Sequence, residues 1–458
     1  MKRRAFMKLS LALGGAVLLP TFSYSKALDL SKITFSKPAN NVQTIIIYLY
    51  GGASQLKGNL SNIDEINKAS FKKYPAYFTG DNKMTKTTNN CWAEAGGTEM
   101  EEMMDNGDMT LFRTCYSNVR ETANNKAHGV CTSQNQKGSF DDNNAGILTN
   151  LAQILEANSA VTSNSFMPFV TMEGESRFYT TGSTVVSSYL KPIAMDARLT
   201  NPYQREKRSW LFYSKEEKSR TRSYSQNDEK GGFDPEFESM MTQLAQTMNG
   251  EGKIKEAFDK REELVDVIDK ISKSATPSLG DSPYPQNSRF ATSVENAIKI
   301  LKHNSDTKVI TLSGSSGLGG WDDHSNSTSY VTRARTLFQT LKAAMQHLKA
   351  EGKINDVSIM VFGEFGRGVN LNGSHGWDHG NLQNFYVLGG KSYLNHQGVV
   401  GETMVHHTGR VNRIYHRPKT GSYKFEPMSI ASTIYKIHGI ENPAELTGYP
   451  EITPLFNS

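Results

Sequence analysis

The chain has 458 residues with 37% hydrophobic content, enough for one large globular core and unlike a disordered composition. Lys and Arg number 51 against 46 Asp and Glu. Four of the cations, Lys2, Arg3, Arg4 and Lys8, precede residue 25 where no acid occurs, so the rest balances at 47 against 46 and no nucleic-acid partner is indicated.

The chain begins Met1-Lys2-Arg3-Arg4-Ala5-Phe6-Met7-Lys8, continues through an apolar stretch from Leu9 to Leu19, and reaches the small residues Ser23-Tyr24-Ser25. This is the pattern of a twin-arginine signal over residues 1–25, read by the twin-arginine export machinery and removed, which predicts a periplasmic or otherwise exported protein. A retained signal-anchor is the alternative. The apolar stretch falls well short of the ~20 residues of a membrane span and no later segment comes close, so no stable span is expected after processing.

Residues 26–458 read as a single α/β domain. Val42 to Tyr50 is a nearly continuous β-prone run ending at Gly51-Gly52, as in a central strand buried on both faces. Met109 to Thr114 and Phe166 to Met172 are further strands, and Ala145 to Leu155 has helical spacing of its apolar residues. From 200 to 290 the sequence turns polar, with an amphipathic helix predicted over 253–273, and reads as a helical insertion or cap. Within it, Arg205 to Arg222 mixes both signs of charge with aromatics and suits either an anionic envelope polymer or a solvated face. Alternation then resumes: helix 289–303, strand 308–313, helix 329–350 stopped by Gly352, strand 356–363, strand 385–389 and helix 428–438. This order predicts a mostly parallel central sheet with helices on both faces. Cys91, Cys115 and Cys131 fit no zinc spacing and allow one disulfide with one thiol left over.

Two segments carry candidate chemistry. Gly319-Gly320-Trp321-Asp322-Asp323-His324 follows the strand at 308–313, and Glu364-Phe365-Gly366-Arg367 followed by Gly376-Trp377-Asp378-His379-Gly380 follows the strand at 356–363. Carboxylates and imidazoles at neighbouring strand ends are what a divalent cation needs, and the mixed O/N set of Asp322, His324, Glu364, Asp378 and His379 suits Zn²⁺ or Mn²⁺, or Fe, better than Ca²⁺. Turn and helix-cap roles for the aspartates are the alternative. The Arg367 guanidinium either clamps an anionic ester group or serves as a strut to a neighbouring carboxylate. His128 is either a proton-passing residue or a surface histidine. Adjacent His406 and His407 point to opposite faces of a strand and are not expected to ligate together, and His347 is expected at a helix surface or interface. Ser54, Thr132 and Ser133 are the available hydroxyl nucleophiles, with water as the other choice.

In order and spacing these segments, with the first strand, the export signal and Ser429-Ile-Ala-Ser-Thr-Ile-Tyr-Lys-Ile-His-Gly439, resemble the bacterial family called domain of unknown function 1501, grouped with the alkaline phosphatase and sulfatase superfamily. The resemblance implies an alkaline phosphatase-like sheet with a metal site at its carboxyl edge, and relatives that cleave or transfer phosphate and sulfate esters. Asp322 and His324 match the family's Asp-x-His, Glu364 its strand-end carboxylate, and Asp378 and His379 its Asp-His. Two positions depart: Ser54 stands where the family has an aspartate, and Ala127-His128-Gly129 where it has Ser-His-Phe. No Cys-x-Pro-x-Arg or Ser-x-Pro-x-Arg occurs, which argues against formylglycine sulfatase chemistry. The expectation is an exported, metal-dependent hydrolase-like protein acting on an anionic small molecule or envelope polymer. The alternative is an envelope binding or scaffold protein that keeps the fold without turnover.

Overall fold

A computed structural model describes residues 28–456 apart from 54–60, 66–84, 142, 174–175, 183–184, 196–242, 244–258, 260–262, 265, 272, 326 and 408–413. The segment 1–25 expected as a signal, Ser54, the basic-aromatic stretch 205–222 and most of the region 200–290 expected as an insertion lie outside these residues. Twelve strands are described: β1 (Gln43–Leu49), β2 (Met109–Cys115), β3 (Phe169–Thr171), β4 (Ile193–Ala194), β5 (Val309–Ser313), β6 (Val357–Gly363), β7 (Arg367–Leu371), β8 (Trp377–His379), β9 (Gln383–Gly389), β10 (Gly398–Val400), β11 (Thr403–His407) and β12 (Ile414–Pro418).

Eight of them form one sheet in the order β10-β2-β9-β6-β1-β5-β3-β4. β1 lies at its middle, parallel to β5 on one side and β6 on the other. Ile45 and Ile47 face one apolar layer and Ile46 and Tyr48 the other, all 0% exposed. Burial on both faces is why β1 reads as an unbroken apolar run; each fully buried isoleucine contributes about 2–3 kcal/mol over exposure.

The helices divide between the two faces. α1 (Gly97–Asp105), α5 (Arg289–His303) and α6 (Ser329–Ala350) pack on the first layer, where Leu264, Ile268 and Ile271 are also buried. α4 (Ile147–Ala157) and α7 (Met428–Ile437) pack on the second. α2 (Asn118–Ala123) and α3 (His128–Lys137) follow β2. The predicted α/β class, a mostly parallel sheet covered on both faces, is the observed one.

The exception is β9, antiparallel to both β2 and β6. Between β6 and β9 the chain makes only the short antiparallel pair β7–β8 and no helix, so it returns beside β6 in the opposite direction. β11 and β12 form a separate two-stranded pair. Cys91, Cys115 and Cys131 are buried and free, so no disulfide forms among them. His347 is not at the surface: it is 0% exposed, its Nδ1 lies 3.1 Å from the Tyr284 hydroxyl, and burial pushes its pKa down to about 4. No helix among the described residues is long and apolar enough to cross a membrane.

Candidate metal centre

The carboxyl ends of β1, β5 and β6 open onto one place, and four segments meet there. β1 ends in Gly51-Gly52, β5 leads into the 314–324 loop, β6 ends beside Glu364, and α3 begins with His128.

The two Gly-Trp-Asp segments are fastened to this edge by their tryptophans. Trp321 and Trp377 are 1% and 0% exposed, and both rings stand edge-on to Tyr330 of α6, at 5.5 and 6.0 Å. Trp321 N–H donates to Tyr50 O (2.9 Å) and Trp377 N–H to Asp323 O (2.7 Å), which ties the loops to β1 and to each other. Neighbouring acids then take different jobs. Asp323 is buried and paired with Arg333, whereas Asp322 turns to the edge with its side chain 50% exposed. Gly376 is required by contact alone, since a Cβ there would sit 2.2 Å from the backbone of His324.

His128, Asp322, His324 and His379 come together, each offering one ligand atom, with all four atoms within 4.8 Å of one another. His324 Nε2 and His379 Nε2 are 2.8 Å apart, and Asp322 Oδ1 lies 3.3 Å from His324 Nε2 and 3.4 Å from His128 Nε2. The far side of each ring fixes its orientation. His379 Nδ1 is 2.5 Å from Lys126 O, and a carbonyl can only accept, so Nδ1 carries the proton and Nε2 presents a lone pair. His128 Nδ1 is 2.5 Å from Glu364 Oε2, and His324 Nδ1 is 3.6 Å from Asp378 Oδ1.

Glu364 and Asp378 therefore stand one step behind the cluster instead of inside it. Glu364 is 3% exposed, and its other oxygen accepts the Gly51 N–H at 2.8 Å. Asp378 Oδ1 also accepts from Asn372 Nδ2 at 3.2 Å. Arg367 takes the strut role. It is 1% exposed, donating from Nε to Gly52 O (2.7 Å), from Nη1 to Trp377 O (3.1 Å), and from Nη2 to Gly51 O and to Asp322 Oδ1 (2.7 Å). A guanidinium so enclosed has no fork left for an ester oxygen pair. Thr132 and Ser133 lie one turn along α3 from His128, and Ser133 is buried. His406 is partly buried and His407 exposed on β11, outside the cluster.

The protonation states of Asp322 and His379 are those of metal ligands. Burial by itself raises the Asp322 carboxyl, but the Arg367 hydrogen bond and charge bring it below the usual carboxylate range. Burial, followed by the charges of Arg367 and His128, pushes His379 down to about 4, so its ring is neutral at neutral pH. Neutral imidazoles and an ionised carboxylate are the protonation states that metals bind. His128 Nε2 is buried and makes no hydrogen bond, which leaves a polar atom whose natural partner is an ion. The pairing of His128 with Glu364 is the carboxylate–histidine arrangement that orients imidazole ligands. The residues present thus fit a divalent ion with N₃O ligation.

From the sequence, Asp322, His324, Glu364, Asp378 and His379 were expected as ligands together, Arg367 as a clamp or a strut, and His128 as a proton-passing or a surface residue; in the structure His128 stands in the cluster and Glu364 and Asp378 behind it. The lone signal for His128 was its position opening a helix, and nothing local distinguished Glu364 from a ligand.

The family described as Protein of unknown function (DUF1501) matches residues 43–442. No curated protein matches the chain. Among solved structures, the chain is similar to Ps i-CgsB in complex with k-i-k-neocarrahexaose, with 9% identity, 91% of this chain and 77% of that chain covered, and a TM-score of 0.37. A second is the phosphonate monoester hydrolase SpPMH from Silicibacter pomeroyi, with 11% identity, 90% and 78% coverage and a TM-score of 0.30. Neither likeness reaches a TM-score at which it bears on this chain's fold or activity.

Proposed function

The chain belongs to the DUF1501 family, and from that premise we propose that it is an exported, metal-dependent hydrolase of phosphate or sulfate esters. The observation that carries the reading is the convergence of one carboxylate and three imidazole nitrogens within 4.8 Å at the carboxyl edge of a parallel sheet. The ester class comes from the superfamily that the sequence motifs resemble.

In this reading His128, Asp322, His324 and His379 hold the ion, Zn²⁺ or Mn²⁺ by the donor set. The ion they would hold would supply Lewis acidity toward an ester oxygen and a water of lowered pKa, with no protein hydroxyl required. Glu364 keeps His128 turned inward, Arg367 keeps the Asp322 carboxylate at the edge, and Asp378 faces the outer nitrogen of His324. Phe365, whose ring lies 4.5 Å from that of His379 and 5.0 Å from that of His128, walls one side against water. The His324 and Asp322 side chains, 43% and 50% exposed, are the parts of the cluster that a substrate would reach.

Purified protein loaded with Zn²⁺ or Mn²⁺ is expected to turn over an aryl phosphate monoester, diester or aryl sulfate, and His379→Ala to abolish that turnover. The second reading, a binding or scaffold protein of the envelope, is favoured by Ser54 and Ala127 at the two departures from the family pattern. It is adopted if the loaded parent cleaves none of the three ester classes.

A further inference from the structure

Glu364 orients His128, and the peptide of Glu364 is itself gripped by two side chains that no motif announced. Arg120 of α2 is 2% exposed. Its Nη1 donates to Glu364 O (3.0 Å), its Nε to Gln134 Oε1 (2.9 Å), and its Nη2 to Asn135 Oδ1 (2.6 Å) and Cys131 O (3.3 Å). Asn135 of α3 is 3% exposed, and its Nδ2 donates to Gly363 O (2.7 Å) and Glu364 O (3.0 Å). The hydrogen-bond acceptors around the Arg120 guanidinium among the described residues are all neutral oxygens, and the Phe140 ring lies 5.8 Å from it; no carboxylate of the described residues pairs with it. Burying a permanent charge against neutral acceptors is unfavourable compared with an apolar contact of the same shape, so general adhesion between α2 and α3 does not explain it.

The spacing explains more. His128, Cys131 and Asn135 follow one another at three and four residues, so they share one face of α3. That face presents His128 to the cluster at its first residue and, two turns later, closes on the end of β6. One helix therefore both supplies a ring to the site and holds the peptide whose side chain aims that ring.

We propose that Arg120 and Asn135 are positioning residues of the metal centre. They fix the Glu364 peptide so that its carboxylate meets the Gly51 N–H and His128 Nδ1 together, with His128 Nε2 facing Asp322, His324 and His379. The inference rests on reading the cluster as a metal centre.

The test is titration of Co²⁺ and Zn²⁺, with chelator competition, into full-length apo parent, Asn135→Ala and Arg120→Lys. Alanine is a better helix former than asparagine, so Asn135→Ala keeps α3 and the measurement remains open even if Arg120→Lys does not fold. The expected result is affinity weakened by about 10-fold, the low end of the effect of removing an outer partner of a ligand because these residues act through Glu364, with a changed Co²⁺ absorption spectrum. Folded Asn135→Ala that binds within about threefold of parent with an unchanged spectrum overturns the proposal, whether or not its apo melting temperature falls. A parent that binds neither ion overturns the metal-centre reading instead.

Discussion

Gly51 shows how one residue can be required for backbone reasons alone. Its φ is +106°, and a Cβ would lie 2.4 Å from the Asp322 backbone nitrogen, so a side chain would meet both an unfavourable conformation and the loop that carries a cluster residue. Gly51→Ala is expected to destabilise the protein by about 2–3 kcal/mol and to weaken metal binding with it, measured by urea unfolding and by metal titration of the folded protein. Other residue roles were less readable in the sequence. Asp322 and Asp323 are adjacent and chemically identical; the presence of Arg333 ten residues later on α6 decides which is buried, and only the packed helix reveals it. Arg367 could be assigned two roles by type, and its enclosure by the carbonyls of Gly51, Gly52 and Trp377 decided for the strut.

At the scale of elements, the sequence was most legible where burial is one-sided or complete. The amphipathic helices 289–303 and 329–350 match α5 and α6 end to end, and the central strands lie where their apolar runs predict. The strand expected over 166–172 is shortened to Phe169–Thr171, since it pairs by only a few residues near the sheet edge. The β7–β8 pair was unforeseen because its residues serve the site: Arg367 opposes His379 across it, and no alternation of apolar residues marks it. The same pair reverses β9, a consequence of connection length that periodicity does not report. The repeated Gly-Trp-Asp was legible as a motif, but its tryptophans act as anchors on a shared tyrosine, a contact between distant segments.

The whole molecule carries buried histidines that tie its stability to pH. His438 is 2% exposed, with Nε2 3.1 Å from Thr44 Oγ1, and His416 is 2% exposed; burial pushes each pKa from 6.5 down to about 3. The unfolded chain then binds these protons before the folded one does. Their contribution is complete above pH 6.5 and is lost progressively as pH falls toward about 3. The urea midpoint is expected to begin falling near pH 6, above the range where carboxylates titrate, and His438→Gln to reduce the slope. A midpoint unchanged between pH 7 and 5 contradicts this. The overall architecture was the most legible level of all, because alternating strands and helices constrain the layers before any side chain is placed.

Four side chains from separate segments grip one ion in the proposed centre, and the metal content of the purified protein is the decisive measurement. Elemental analysis of purified parent protein after divalent-metal loading and desalting is expected to give about one equivalent of Zn²⁺ or Mn²⁺ per chain, and the folded Asp322→Ala/His379→Ala variant a small fraction of that. A variant that keeps the parent's metal content, or a parent that holds none, contradicts it.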